Sequence, residues 1–116
     1  MSDIRASKPF YKHTYDSVQY GFVFSSLLPA GVTIATVDAT TVATEAGTSS
    51  TALTCTGGAA NGSTFTDDDG NTVAIGEAVQ ATVAGGTAGV RYGITVKVTA
   101  SNGEKYGGIF SVIVKG

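Results

Sequence analysis

Arg91-Tyr92-Gly93-Ile94-Thr95-Val96-Lys97-Val98-Thr99 sets Tyr92, Ile94, Val96 and Val98 in strict alternation against Arg91, Gly93, Thr95, Lys97 and Thr99. Side chains on an extended chain point to opposite faces in turn, so this is a strand with one face in a core and one in solvent. Ser101-Asn102-Gly103 follows. Asn102 and Gly103 are the residue types that take positive φ in a tight hairpin. The return run to Val114 places Phe110, Val112 and Val114 on one face and Ile109 and Ile113 on the other, and Gly107-Gly108 predicts a bulge within it.

Upstream, Val18, Tyr20, Phe22 and Phe24 share a core face at period two. Leu27-Leu28 followed by Pro29-Ala30-Gly31 marks a crossing between sheets. Val32 to Val37 begins a second strand, apolar on both faces, and Ala39 to Ala43 forms a weaker strand or extended loop. Ser50 to Thr56 is a strand closed by Gly57-Gly58 and the turn dipeptide Asn61-Gly62. Ser63 to Thr66 is short, Asp67 to Asn71 is a turn, and Thr72 to Ile75 and Glu77 to Ala84 are further strands, the latter aligning Val79, Ala81 and Val83. No helical period of three turns occurs. About seven short strands between turn signals predict an all-β fold, a two-sheet Greek-key β-sandwich. A small barrel or jelly-roll fragment is the alternative, because strand number alone does not separate closure from sandwiching.

The 116 residues match the size of one domain. Charged residues make up 14% of the chain, against about 25% in an average soluble domain. The surface is therefore polar mainly through hydroxyls and backbone. The net charge is −2 and the seven Lys and Arg form no basic run, which disfavours nucleic-acid binding. One cysteine excludes an intramolecular disulfide. Cys55 alternates in step with Leu53 and reads as a small inward hydrophobe, with an exposed thiol as the alternative. No apolar run approaches the length of a membrane span or signal peptide, so the expectation is a soluble product made in the cytoplasm, without a membrane partner.

Residues 1–16 read as an extended N-terminal arm and residues 17–116 as the sandwich domain. An arm that stayed disordered would lack aromatics. Phe10, Tyr11 and Tyr15 therefore suggest that it docks, on its own domain or on a neighbour, and they are the candidate partner-docking residues.

Gly89-Val90-Arg91-Tyr92, with the strand it opens and the hairpin after it, resembles the Gly-x-x-Tyr start of the penultimate strand in immunoglobulin-like and fibronectin type III-like modules. The resemblance implies that Gly89 and Tyr92 form a structural corner, the ring in the core and the hydroxyl on the backbone of the preceding crossing. The disulfide and core Trp of antibody domains are absent. Tyr15 to Leu28, Gly31 to Ala35 and the Gly85-Gly86-Thr87-Ala88-Gly89 block also resemble small immunoglobulin-like structural proteins of tailed bacteriophages. Those relatives carry Asp-Tyr-x-x-Asp-Trp-Ser in the first strand, whereas Gln19-Tyr20-Gly21-Phe22-Val23-Phe24-Ser25 keeps the Tyr and a bulky aromatic but lacks the acid and the Trp. The implied fold is an immunoglobulin-like Greek-key β-sandwich of about seven strands with an N-terminal arm. The implied function is a non-enzymatic virion structural protein, a capsid decoration, head-associated or head-tail component. It would dock on other virion proteins of capsid or tail through its arm and sandwich surface, and self-association in a symmetric assembly fits the same setting.

The inventory for catalysis is thin. The one histidine, His13, sits in the arm and reads as a solvated side chain. Asp67-Asp68-Asp69-Gly70-Asn71 invites a calcium reading, but no Glu closes the loop at its twelfth place, so a solvated turn is expected. Gly57-Gly58 and Gly85-Gly86 lack the Lys and helix of a phosphate loop. No cofactor is expected. The competing reading is an immunoglobulin-like binding module for a host-surface glycan or protein, with Tyr106 near Glu104 as a small aromatic platform.

Overall fold

A computed structural model describes residues 3–5, 10–25, 27–66 and 70–116. Asp67-Asp68-Asp69, the candidate calcium turn, and the Ala6 to Pro9 part of the arm lie outside the described residues. In chain order the strands are β1 (Asp3–Arg5), β2 (Phe10–His13), β3 (Ser17–Val23), β4 (Ile34–Ala46), β5 (Leu53–Ala60), β6 (Phe65–Thr66), β7 (Thr72–Val73), β8 (Ala78–Gly85), β9 (Arg91–Ala100) and β10 (Lys105–Lys115). The described residues contain no helix, and so none long and apolar enough to cross a membrane.

Two sheets face each other across the core. The larger runs β4-β9-β10, with β1 and β2 both pairing parallel along the far edge of β10. The smaller is antiparallel, β3-β8-β5. A separate two-stranded ribbon joins β6 to β7; its Phe65 ring packs so closely on Gly21 of β3 that an added Cβ there would lie 2.8 Å from it.

The deciding strand behaves as its alternation requires. Tyr92, Ile94, Val96 and Val98 of β9 are buried between the sheets, facing Phe22, Val79, Ala81 and Val83 of the smaller sheet and Phe110, Val112 and Val114 of β10. Phe22 and Phe24 both meet Phe110, with ring centroids 4.8 and 5.9 Å apart. Full burial of such a side chain is worth about 1.5–3 kcal/mol, so this aromatic cluster is a large share of what holds the sheets together.

Three strand-level expectations are corrected. Gly107-Gly108 is not a bulge: β10 pairs with β9 without a register shift from Lys105 opposite Thr99 to Ile113 opposite Arg91. Gly108 serves the core instead, since a Cβ there would come within 2.8 Å of the Phe110 ring and 3.2 Å of Phe24. The segments around Val32 to Val37 and Ala39 to Ala43 are one 13-residue strand, β4. Register shifts near Ile34/Thr36, Val37/Ala39 and Thr44/Ala46 break its period and hid its continuity. Val18 shares the inward face of β3 but lies at its rim and is 36% exposed.

Asn61, expected in an exposed turn, is 1% exposed. Its Oδ1 accepts from the backbone N–H of Gly76 (3.1 Å) and Ala78 (3.0 Å), and its Nδ2 donates to the carbonyls of Ser63 and Ala74, both at 2.9 Å. One side chain thus bonds four backbone groups around the β6-β7 ribbon, among them the N–H of buried Ala78; Gly76 N–H also reaches Asn61 O, and Ala74 O also accepts from Glu77 N–H. Asn61→Ala is expected to lower unfolding free energy by about 1–3 kcal/mol in denaturant titration, because buried Ala78 N–H loses this acceptor.

Candidate interaction surface

The segment read as an arm contributes a strand. Phe10–His13 pairs with Val112–Lys115, and Thr14 N–H continues the pairing to Lys115 O at 3.0 Å. Alternation on β2 separates the candidate docking residues. Phe10 turns inward, stacks on Tyr20 at 4.7 Å and meets Phe22 edge-on at 5.6 Å. Tyr11 turns outward and is 58% exposed, with the Lys115 ammonium 5.0 Å from its ring centroid. Tyr15 is 96% exposed on a turn closed by Asp16 N–H to His13 O (3.0 Å) and His13 N–H to Asp16 Oδ2 (3.1 Å). The turn is fixed while its tyrosine is free, which is how a rigid scaffold presents an aromatic to a partner.

Two side chains fasten this edge to the opposite sheet. Tyr20 donates its hydroxyl to Tyr11 O at 3.1 Å. Lys12 is 2% exposed, and its ammonium donates to His13 O and Gly85 O, each at 2.6 Å. A buried ammonium needs such acceptors to offset its lost hydration. Lys12 was missed in the sequence because a lysine in a polar segment reads as solvated, although period two from Phe10 puts it inward.

At the same end of the sandwich, the Tyr92 hydroxyl accepts from Thr87 N–H (2.9 Å), lies 2.8 Å from Ser49 Oγ and donates to Thr51 O (3.1 Å). Thr87 Oγ1 in turn accepts from Ser50 N–H and Thr51 N–H at 3.0 and 2.8 Å. Gly89, at φ 82°, makes the turn before β9 and donates to Val114 O at 2.8 Å. At the opposite end, Gly103 has φ 88° and donates to Ala100 O at 2.9 Å. Asn102 Oδ1 accepts from Glu104 N–H at 3.0 Å, and its Nδ2 donates to Glu104 Oε1 at 2.7 Å. Asn102 and Gly103 shape the hairpin tip.

Among the described residues, no three His, Cys, Asp or Glu converge to hold a metal. Burial pushes the Cys55 thiol up, against the opposing effect of the Thr40 hydroxyl, so at neutral pH it is the protonated, weakly nucleophilic form. Tyr106, the proposed platform, packs against the core with its hydroxyl on Glu104 Oε1 at 3.0 Å.

A family model described as podophage GP4 fiber-tail adaptor protein gp77 matches residues 12–112. The chain belongs to this fiber-tail adaptor family. It is accordingly a structural protein of the bacteriophage virion, assembled in the host and in contact with other virion components. No curated protein and no solved structure matches the chain. The match begins at Lys12 and ends at Val112, so it takes in both sheets and the Tyr92 corner.

Tyr92→Phe keeps the ring and removes the hydroxyl, leaving Thr87 N–H without this acceptor, while Thr51 O retains the Ser49 and Thr87 hydroxyls. A loss of about 1–3 kcal/mol in thermal or denaturant unfolding is expected, with no loss of the β circular-dichroism signature.

Proposed function

We propose that the protein is a non-enzymatic adaptor that sits between the tail and a fibre, and that the β2 edge with Tyr11 and Tyr15 is one of its docking surfaces. The family match over residues 12–112 carries the first part, and the outward, unpacked tyrosines carry the second. This reading moves the station to the tail, from the capsid decoration, head-associated or head-tail position expected from the sequence. Phe10 acts indirectly, because its ring holds β2 in place beneath Tyr11.

The sandwich itself reads as immunoglobulin-like. With β3, β4, β5, β8, β9 and β10 taken as strands B to G, the sheets are B-E-D and C-F-G, the arrangement of that fold. Tyr92 near the start of the F strand, bonded to Thr87 before it, supports the same assignment as a tyrosine corner. A host-glycan module is the weaker reading, since Tyr106 is partly buried against the core and does not stand out as a platform.

Many symmetric copies let each adaptor contact be modest, and self-association on the particle would supply that symmetry. Tyr11→Ala with Tyr15→Ala, both exposed, should leave the fold unchanged and reduce binding to its virion partner by at least about tenfold, as loss of aromatic anchors does. Fibre loading per tail, counted by electron microscopy of particles assembled with the variant, checks this. Unchanged loading would remove Tyr11 and Tyr15 from the interface, and averaged density for the protein on the head lattice would return it to a decoration role.

A further inference from the structure

The charges are segregated between the two sheets. β3, β5 and β8 contain no charged residue, and neither do β6 and β7. Every charge on a strand belongs to the larger sheet. On its outer face, where residues alternate with the buried Tyr92, Ile94, Phe110 and Val112, stand Arg91, Lys97, Lys105 and Lys115. Two acids share the face. Glu45 Oε1 accepts from Arg91 Nε at 3.1 Å and from Ser111 Oγ at 2.9 Å. Asp38 Oδ2 accepts from Thr99 Oγ1 at 2.6 Å. Among the described side chains of β4, β9 and β10, Arg91 is paired with Glu45, and Lys105 donates at 3.0 Å to the same Thr99 hydroxyl that bonds Asp38. Lys97 and Lys115 are therefore the two bases in excess on this face, in a chain whose net charge is −2.

The bases sit at the two ends. Lys97 and Lys105, both exposed, lie at the hairpin end, two positions apart in the β9-β10 register, with Lys97 opposite Gly107 and Lys105 opposite Thr99. Arg91 and Lys115 lie at the other end, by strand rise about 20 Å from Lys97 along β9 and about 34 Å from Lys105 along β10. Between the two ends Ile109 is half-buried opposite Thr95, Ile113 is half-buried opposite Arg91, and the Glu45 side chain lies over Gly93 with its carboxylate held by Ser111 and Arg91. Tyr11 on β2, opposite Ile113 in register, continues this surface to the docking edge.

We infer that the outer face of the larger sheet docks a carboxylate-rich protein surface of the virion, with Lys97 and Lys105 as one charged anchor, Lys115 as the other, and Ile109 and Ile113 as apolar contacts beside them. This rests on the adaptor reading and names the chemistry of one partner. A few uncompensated bases beside two half-buried isoleucines suit a protein partner, whereas a duplex would demand many more such bases. The uncharged opposite face would leave the second partner to be met by different chemistry, so an adaptor with two faces would not confuse its two neighbours.

The test uses fibreless tails and free fibres, each purified from the source phage, as separate probes for the full-length protein in co-sedimentation. Lys97→Glu with Lys105→Glu should weaken binding to one of the two probes by at least about tenfold, mainly through slower association, and leave the other unchanged. Wild-type binding to that same probe should fall as ionic strength rises from about 0.1 to about 1 M, where the screening length shrinks from about 10 to about 3 Å. Gln19→Glu with Thr56→Glu, on the outer face of the smaller sheet, is the matched control and should not reproduce the loss. Circular dichroism and melting temperature monitor folding of both variants. If the Lys variant binds both probes like wild type, the inference is overturned and the adaptor reading stands. If wild type binds neither probe, both fall. Salt-sensitive self-association without binding to either probe, or tighter binding to a 30-base-pair DNA duplex than to either, would likewise overturn it in favour of a second copy or a nucleic acid.

Discussion

The phenolic oxygen of Tyr92 ties the larger sheet to the paired ends of β5 and β8 in the smaller one. It sits at the start of β9, in the larger sheet, and bonds at once to the turn after β8 and to the loop before β5. Because Thr87 Oγ1 gathers Ser50 and Thr51 N–H as well, two loops share one set of hydroxyls. A sandwich of this size commonly fastens its sheets with a disulfide; with one cysteine, this chain uses a tyrosine ring in the core and its hydroxyl at the rim.

The same end of the molecule is closed on its other side by β2. Parallel pairing to β10 satisfies one edge of β2, and Tyr20 and Lys12 reach across from side-chain positions to satisfy part of the other. Burying the Lys12 ammonium is costly and yields a geometric gain: β2 is tied to both sheets, so Tyr11 and the turn bearing Tyr15 are held at a defined place. Rigidity of that kind suits an interface, because less order has to be imposed when a partner arrives.

A virion adaptor must be stable between two neighbours and must not mistake one for the other. The fold separates these demands. Stability resides in the inward aromatics and the Tyr92 and Asn61 networks, and recognition is left to an aromatic edge and to the outer sheet faces, which differ in charge. Each strand contributes to both through period two, so Lys97 and Val98 serve different purposes one residue apart.

What the amino-acid order determined alone was whatever is local: the period-two face of β9, the hairpin at Asn102-Gly103, the inward set Val79, Ala81 and Val83, and the all-β character. Alternation and turn chemistry act over a few residues and need no partner. Tertiary structure decided the rest. Phe10 and Tyr11 are equally aromatic in the sequence, and it is the pairing of β2 with β10 that sends one to the core and the other to solvent. Asn61-Gly62 reads as a turn anywhere, and burial makes Asn61 the centre of a hydrogen-bond network only because the β6-β7 ribbon and the start of β8 close over it. The four bases of the outer face are scattered between Arg91 and Lys115, and they become one surface because two strands run antiparallel at a spacing of about 4.8 Å. Long-range contacts of this sort depend on which strands pair, a choice made by burial of the whole core and not by any short run of residues.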